Sequence, residues 1–202
     1  MLPNRLLSHL LDHFSKGSGL SIEIENTDWP GSWQLDHVLC EDVGQLVGCG
    51  VLAIHDELAA QSGVPGRGYA NVCMDDAEVS VTISFESRPR ADWRVSSLGD
   101  IDRFVDAWYD DQGVMIGWCS GTNLRQFVDG FALGSGASIS VKVTKIGNLH
   151  HLYECIFRAC GDAVRECLGL GSKFGRIPGD TSGLAGCPEY IVERIERDWN
   201  ES

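Results

Sequence analysis

At 202 residues the chain is long enough for one large domain, or for two small halves with a real core. It is 43% hydrophobic and 22% charged, a globular balance, and no stretch approaches the run of about eighteen apolar residues that a membrane-spanning helix needs. A formal net charge of -13 disfavours nucleic acid and anionic membranes as partners, because both would repel it.

The first segment, MLPNRLLSHLLDHF, has neither a long apolar run nor a small-residue cleavage site, so a cytoplasmic protein without a signal peptide is expected. It reads as a helix ending in the Gly turn KGSG. Ile22 and Ile24 then alternate with polar residues, which predicts a half-buried strand. TDWPGSW supplies a turn, and LDHVLCE opens a long amphipathic run. GVPGRG, from Gly63 to Gly68, is a loop before a clear strand in which Val79, Val81, Ile83 and Phe85 alternate with Ser80, Thr82, Ser84 and Glu86. The stretch from Asp100 to Gly121 reads as a helix followed by a loop. A second helix, Gly turn and strand follow, with Ile139, Val141 and Val143 on one side, and then the helix that begins near NLHHLYE. The tail is Gly-rich as far as Gly186 and closes with the helical-looking PEYIVERIERDW. Eight cysteines, none in a CxxC pair, are expected to be reduced and mostly buried.

The strongest internal signal is a repeat. DHFSKGSGLSI (Asp12 to Ile22) aligns with DGFALGSGASI (Asp129 to Ile139), and seven of eleven positions are identical, including both GSG triplets. Each half then reaches a His-x-x-x-Glu, at His37 and Glu41 in one and at His150 and Glu154 in the other, and a glycine (Gly48, Gly161) follows each histidine at the same distance. Ordered matches at three sites imply duplication. The common unit is helix, Gly turn, strand, hairpin, helix. The predicted class is therefore α+β, with duplicated helix-strand-strand-helix halves sharing sheets that helices cover on one side. We expect one duplicated domain over residues 1–170, with half-repeats at about 5–97 and 122–170, an insertion at about 103–121 and a tail over 171–202.

On a helix, residues i and i+4 share a face, so each His-x-x-x-Glu offers an imidazole nitrogen and a carboxylate to one cation. Position i+1 is turned about 100° away and must serve a different ligand. That position holds His151 in the second half and Val38 in the first. Nitrogen and carboxylate donors suit manganese, iron, zinc or nickel. Of the other histidines, His13 and His55 read as solvated or structural.

These segments resemble the imidazoleglycerol-phosphate dehydratase family, in order and spacing, from about Leu6 to Leu168. LLSHLLDHFSKGSGL is similar to the family's first helix, LDHVLCED to its DHHTVED, MDDAEVSVTISFESRP to its MDEAL…DLSGRP, LRQFVDGFALGSGASISVKV to its VEHFFRSL…TLHV, and GNLHHLYECIFRACGDAV to its GxNxHHxxExxFKAFARAL. The resemblance implies a duplicated α+β fold, a large homo-oligomer, and a site with two manganese ions whose ligands come from more than one subunit. Carried over residue by residue, it implies metal ligation by His9, His37, Glu41 and His151 as one complete set. The other set would need His150, Glu154 and positions 38 and 126, which are Val and Gln here. The resemblance further implies that Arg88, Arg158 and Arg67 bind an anionic substrate, since arginine suits bidentate phosphate or carboxylate recognition. His150, Glu154 and Asp76 are then the candidate acid/base groups.

The chain departs from the family in three ways: its leading strand and substrate-binding Glu have no counterpart, the C-terminal SSKG has only DTSGLAG opposite it, and the 103–121 insertion is extra. The expected function is a diverged dehydratase-like lyase with Mn2+ or another divalent transition metal, acting on a small polar anion. The alternatives are the authentic histidine-pathway dehydratase and a catalytically silent metal-binding or structural homologue.

Overall fold

In this computed structural model, residues 2, 4–24, 35–95, 115–116 and 119–170 are described. The Asp100–Gly121 helix and loop, apart from residues 115, 116 and 119–121, and the C-terminal helical segment lie outside them. The described residues form four helices: α1 (Arg5–Ser18), α2 (Asp36–Ser62), α3 (Gly121–Ser135) and α4 (Leu149–Cys167). The strands are β1 (Arg67–Met74), β2 (Ala77–Phe85), β3 (Arg90–Val95), the two-residue pair β4 (Met115–Ile116) and β5 (Cys119–Ser120), and β6 (Ala137–Lys145). Where a loop is expected before Gly121, β4 and β5 form a short antiparallel ladder.

The main sheet has the order β1-β2-β6-β3, with β2 antiparallel to both β1 and β6, and β3 parallel to β6. Its two central strands show the predicted alternation. Ala77, Val79, Val81 and Ile83 of β2 and Ala137, Ile139, Val141 and Val143 of β6 are buried, while Ser80, Thr82, Ser138 and Ser140 are half-exposed on the other face. Helix α4 covers β1 and β2, α3 lies against β3 and β6, α1 packs on α4, and α2 packs on α3. Phe14, Phe127, Phe131 and Phe157 join both helix pairs into one core, with ring centroids from 4.6 to 6.4 Å apart along the chain of contacts Phe14–Phe127–Phe157 and 5.7 Å for Phe14–Phe131.

Further differences from the sequence reading also concern strands. Residues 21–24 form no strand, although Ile22 and Ile24 are half-buried and pack on the core. Alternation there secures a half-buried face without a hydrogen-bonding neighbour. In the second half, β6 leads directly through Ile146–Asn148 into α4, so that half runs helix, strand, helix. Helix α2 is long and apolar enough to cross a membrane by length and composition. Its Leu39, Val43, Val47, Val51, Ile54 and Leu58 are instead buried in the domain, which is the pattern of a core helix.

The GSG triplets now have a physical account. Gly17 and Gly134 sit where helices cross: a Cβ on Gly17 would lie 2.6 Å from the Arg158 carbonyl oxygen, and one on Gly134 would collide with that of Gln45. The alignment that equates Gly17 with Gly134 also equates Arg158 with Gln45. The reciprocal contacts match too, since a Cβ on Gly161 would strike the Phe14 carbonyl and one on Gly48 would lie 2.5 Å from that of Phe131. The last glycine of each triplet, Gly19 and Gly136, takes the left-handed conformation (φ 78° and 64°) that ends each helix. Duplication is thus visible as two equivalent glycine-mediated crossings, α1 on α4 and α3 on α2.

Because the obstacle at Gly161 is backbone, no rotamer change relieves it. Gly161→Ala is expected to cost about 1–3 kcal/mol, the usual range for overpacking, measured by urea unfolding. A loss below about 0.5 kcal/mol would mean that α1 and α4 separate freely.

Candidate metal centre

Helix α4 begins at Asn148, whose side-chain oxygen accepts the His150 N–H at 2.8 Å. Its first two turns present His150 and Glu154 on the face that meets α1. Helix α1 is capped in the same way by Asn4, which accepts from Leu7 N–H at 3.0 Å and donates to Asp36 Oδ1 at 3.0 Å, tying the starts of α1 and α2 together. The glycine crossing brings the two faces into register. His9 Nε2 lies 2.7 Å, His150 Nε2 3.1 Å and His13 Nε2 3.3 Å from Glu154 Oε1. His9 and His150 stack nearly parallel, with centroids 5.4 Å apart.

Three imidazoles converging on one carboxylate oxygen set the electrostatics. The Glu154 side chain is only 11% exposed, and burial pushes its pKa up. The His9 hydrogen bond and the neighbouring His13 and His150 outweigh that and hold it below the ordinary carboxylate range. Burial is also the main influence on His13, whose pKa is lowered despite the attraction of Glu154. The donor set fits a divalent transition metal. The ligand atoms of His9, His150 and Glu154 all lie within 4.8 Å of one another, and an ion about 2.1 Å from each needs donors roughly 3–4 Å apart. Two imidazole nitrogens and one carboxylate oxygen are borderline-to-hard donors of the kind such ions take.

This grouping differs from the one expected. Among the described residues no protomer gathers His9, His37, Glu41 and His151, and the group of three that converges is His9, His150 and Glu154. The reason is helix pairing. His37 and Glu41 ride on α2, which packs on α3, while His9 rides on α1, which packs on α4. By the repeat, Gln126 stands to His37 and Glu41 as His9 stands to His150 and Glu154. The losses at 38, on α2, and at 126, on α3, therefore both fall on the α2–α3 pair and leave the α1–α4 crossing untouched.

His151 and Asp76 form a second pair. His151 Nδ1 is 2.9 Å from Asp76 Oδ1, and Asp76 Oδ2 accepts the Asn148 N–H at 2.9 Å. His151 Nε2 is 3.7 Å from Asp75 Oδ2, beyond hydrogen-bond range. The Asp76 hydrogen bond raises the His151 pKa, and the His151 hydrogen bond lowers that of Asp76. A carboxylate on one ring nitrogen fixes the tautomer and leaves the other nitrogen for a ligand or a proton. The sequence reading paired neither residue with the other.

The candidate anion-binding arginines are divided. Arg158 lies one turn beyond Glu154, with Nε 3.4 Å from Asp162 Oδ1. Arg67 is exposed and opposite Ser84, while Arg88 is exposed and bonded through its backbone to Gly136 and Ser138. Both sit at the Phe85 end of β2, whereas Asp76 precedes its Ala77 end, about 26 Å away at 3.3 Å per residue. His55 is structural, as expected: it stacks on Phe85 with centroids 4.5 Å apart. His13 is neither merely solvated nor remote, because its ring points at Glu154. A signal was available in the spacing, since His9 and His13 are themselves i and i+4.

Cys40, Cys49, Cys73, Cys155, Cys160 and Cys167 form no disulfide. Cys40, Cys155, Cys160 and Cys167 are buried, Cys49 is half-buried and Cys73 exposed. Burial pushes the thiols of Cys155, Cys160 and Cys167 up to about 11, 12 and 12 respectively, so they are inert packing residues.

A family model for imidazoleglycerol-phosphate dehydratase matches residues 3–164. The chain belongs to that family. Among similar proteins, the imidazoleglycerol-phosphate dehydratase of Hydrogenobaculum sp. is 30% identical over 177 residues, covering 85% of this chain and 79% of the relative. That of Magnetococcus marinus is 25% identical over 182 residues, covering 88% and 80%. The fold is shared with the crystal structure of the Staphylococcus aureus enzyme (TM-score 0.60, 23% identity, 80% of this chain and 81% of that one). It is also shared with the Pyrococcus furiosus enzyme in complex with (S)-C348 (TM-score 0.56, 24% identity, 82% and 80%).

The sign of the His151–Asp76 coupling yields a test on metal-free protein. A raised imidazole pKa contributes stability that is complete below its ordinary value near 6.5 and is lost as pH rises through the raised value. The lowered carboxylate contributes above its own ordinary range and loses that contribution in acid. NMR titration is expected to place His151 above 6.5, and Asp76→Asn to return it toward that value. An unchanged His151 titration in the variant would show that the pair does not couple.

Proposed function

We propose that this chain is a metal-dependent dehydratase acting on a small polar anionic substrate, with one divalent transition metal, Mn2+ first among them, held by His9, His150 and Glu154. The observation that carries this reading is the convergence of the imidazoles on Glu154 Oε1 across the α1–α4 crossing. A metal bound there supplies Lewis acidity toward a nitrogen or oxygen of the substrate.

The remaining work belongs to the chain's own side chains. Glu154 stays ionised and supplies the anionic ligand. This places His150 and Glu154 among the metal-holding residues instead of as acid and base. The acid/base role passes to His151: Asp76 orients its ring through Nδ1, leaving Nε2 to take or give a proton. Asp76 then acts through His151 and not on the substrate itself. Arg158 provides positive charge one turn from Glu154. Arg88 and Arg67, at the far end of the sheet, can serve this centre only from a second copy of the chain. The same holds for any centre that joins His37 and Glu41 to His151. A homo-oligomer with its active sites between copies is therefore part of the proposal.

Metal analysis by inductively coupled plasma mass spectrometry, after loading with Mn2+ and desalting, is expected to give one ion per chain. Glu154→Gln is expected to lose that ion and at least 100-fold in turnover, by analogy with the removal of a group essential to the chemistry. A protein that retains no metal, or a Glu154→Gln variant that keeps it, would overturn the assignment. Imidazoleglycerol phosphate is the first substrate to assay. Rescue of a histidine auxotroph lacking the dehydratase would assign the authentic histidine-pathway reaction, while failure with an intact metal centre would direct the search to other small anions.

A further inference from the structure

The two helix crossings match at Gly17 with Gly134 and at Gly161 with Gly48, and one of the positions at which they differ lies against the carboxylate of the metal centre. In the α3–α2 crossing that position is Gly130, where an added Cβ would collide with the Glu41 carbonyl oxygen. In the α1–α4 crossing the equivalent residue is His13, and Glu41 becomes Glu154. A bulky ring thus stands where the sister crossing admits no side chain. It is not turned away. Its Nε2 is 3.3 Å from Glu154 Oε1, its ring meets that of His9 edge-on at 4.9 Å, and its side chain is only 15% exposed. Its other nitrogen, Nδ1, is buried with no hydrogen-bond partner. A proton on Nδ1 would face no acceptor, whereas one on Nε2 faces the carboxylate. Of the two neutral tautomers, only the one protonated at Nε2 turns its N–H toward an acceptor, with Glu154 Oε1 at 3.3 Å.

We infer that His13 is a positioning residue of the metal centre. Its Nε2–H donates to the Glu154 carboxylate and fixes it, so that Glu154, His9 and His150 present their donor atoms to one ion within a single chain. This rests on the metal reading above and extends it to a residue outside the converging trio. Glu154 sits near the end of a rotatable side chain, and without a fixed partner its carboxylate must be ordered at the moment of binding. A hydrogen bond from a ring locked between two helices removes that cost. While the metal is absent, His9 and His150 also crowd the same oxygen. Once both turn their nitrogens to an ion, His13 is the imidazole left on the carboxylate.

The test is a Co2+ titration, read by visible absorption and by competition with a chelator, on the full chain and on three variants. His13→Gln keeps an N–H near the place of Nε2, whereas His13→Leu and His13→Met remove it while preserving bulk. Circular dichroism and thermal unfolding of the metal-free proteins identify the variants that fold, and having two apolar variants guards against one that does not. Expected are Co2+ affinities 10- to 100-fold weaker for the apolar variants, the range seen when a partner of a metal ligand is removed, with His13→Gln within about threefold of the parent. Apolar variants that bind as tightly as the parent would overturn the inference and leave the metal reading standing. Equal losses in all three folded variants would also overturn it, because the ring would then be a ligand or a spacer and not a donor. A parent chain that binds no Co2+ would sink the metal reading itself.

Discussion

The closeness of α1 to α4 is the constraint on which the site depends. Two backbones approach that nearly only where neither carries a side chain, and Gly17 and Gly161 each face a carbonyl oxygen of the other helix. Residues one to three turns earlier on each helix are then held a side chain's length apart. His9 and His13 on one helix meet His150 and Glu154 on the other because the crossing behind them leaves no freedom of rotation or slip. The core reinforces this. Leu10 and Phe14 on α1, and Leu152, Ile156 and Phe157 on α4, are essentially fully buried, and each such side chain stabilises the packed arrangement by roughly 1.5–3 kcal/mol relative to exposure. Rigid helices carrying the ligands give a tighter constellation than loops would.

The same crossing exists a second time, and comparing the two separates what the fold requires from what the chemistry requires. The glycines, the Gly19 and Gly136 turns and the buried serines before them recur in both halves, so they are architectural. Ser135 Oγ donates to the Phe131 carbonyl at 2.6 Å and Ser18 Oγ to that of Ser15 at 3.4 Å, so the serines differ in partner but not in burial. The titratable residues do not recur as a set. His9 faces Gln126 in the alignment, His13 faces Gly130, and His151 faces Val38. Whatever the α2–α3 pair retains in His37 and Glu41, it has lost the imidazole from its partner helix. The α1–α4 pair has kept its own and has His13 in addition.

Much of this was legible in the sequence, and the part that was not has a common cause. The GSG triplets, the alternation in Val79–Phe85 and Ile139–Val143, and both His-x-x-x-Glu pairs are local patterns, and each became a turn, a strand or a helix face. Strand β1 was missed because YANVCM reads as neither a clean alternation nor an apolar run, and its burial is correspondingly weak. Strand β3 was missed because RADWRV is mostly charged or half-exposed at the sheet edge. The expected strand at Ile22 and Ile24 had the right alternation, but period two reports a face and says nothing of a neighbour. The grouping of ligands within one chain was not legible for a similar reason. Spacing along a helix shows which side chains share a face, whereas which helix that face meets is a tertiary fact. The glycines that decide it, Gly17 with Gly161 and Gly134 with Gly48, were in plain view, with only their pairing undetermined.

The pairing also changes how the substitutions at 38 and 126 are understood. On sequence alone they appear to empty a single centre and spare its neighbour. With His9 placed beside His150 and Glu154, Gln126 belongs to the α2–α3 pair, and Val38 lies on α2, one residue from His37. A centre built from α1 and α4 therefore loses nothing on its own helices, and any ligand it forgoes is one that another element, or another copy, would have delivered. The ring at position 13, lodged against the Glu154 carboxylate, stands at a place where the sister crossing has no room for a side chain.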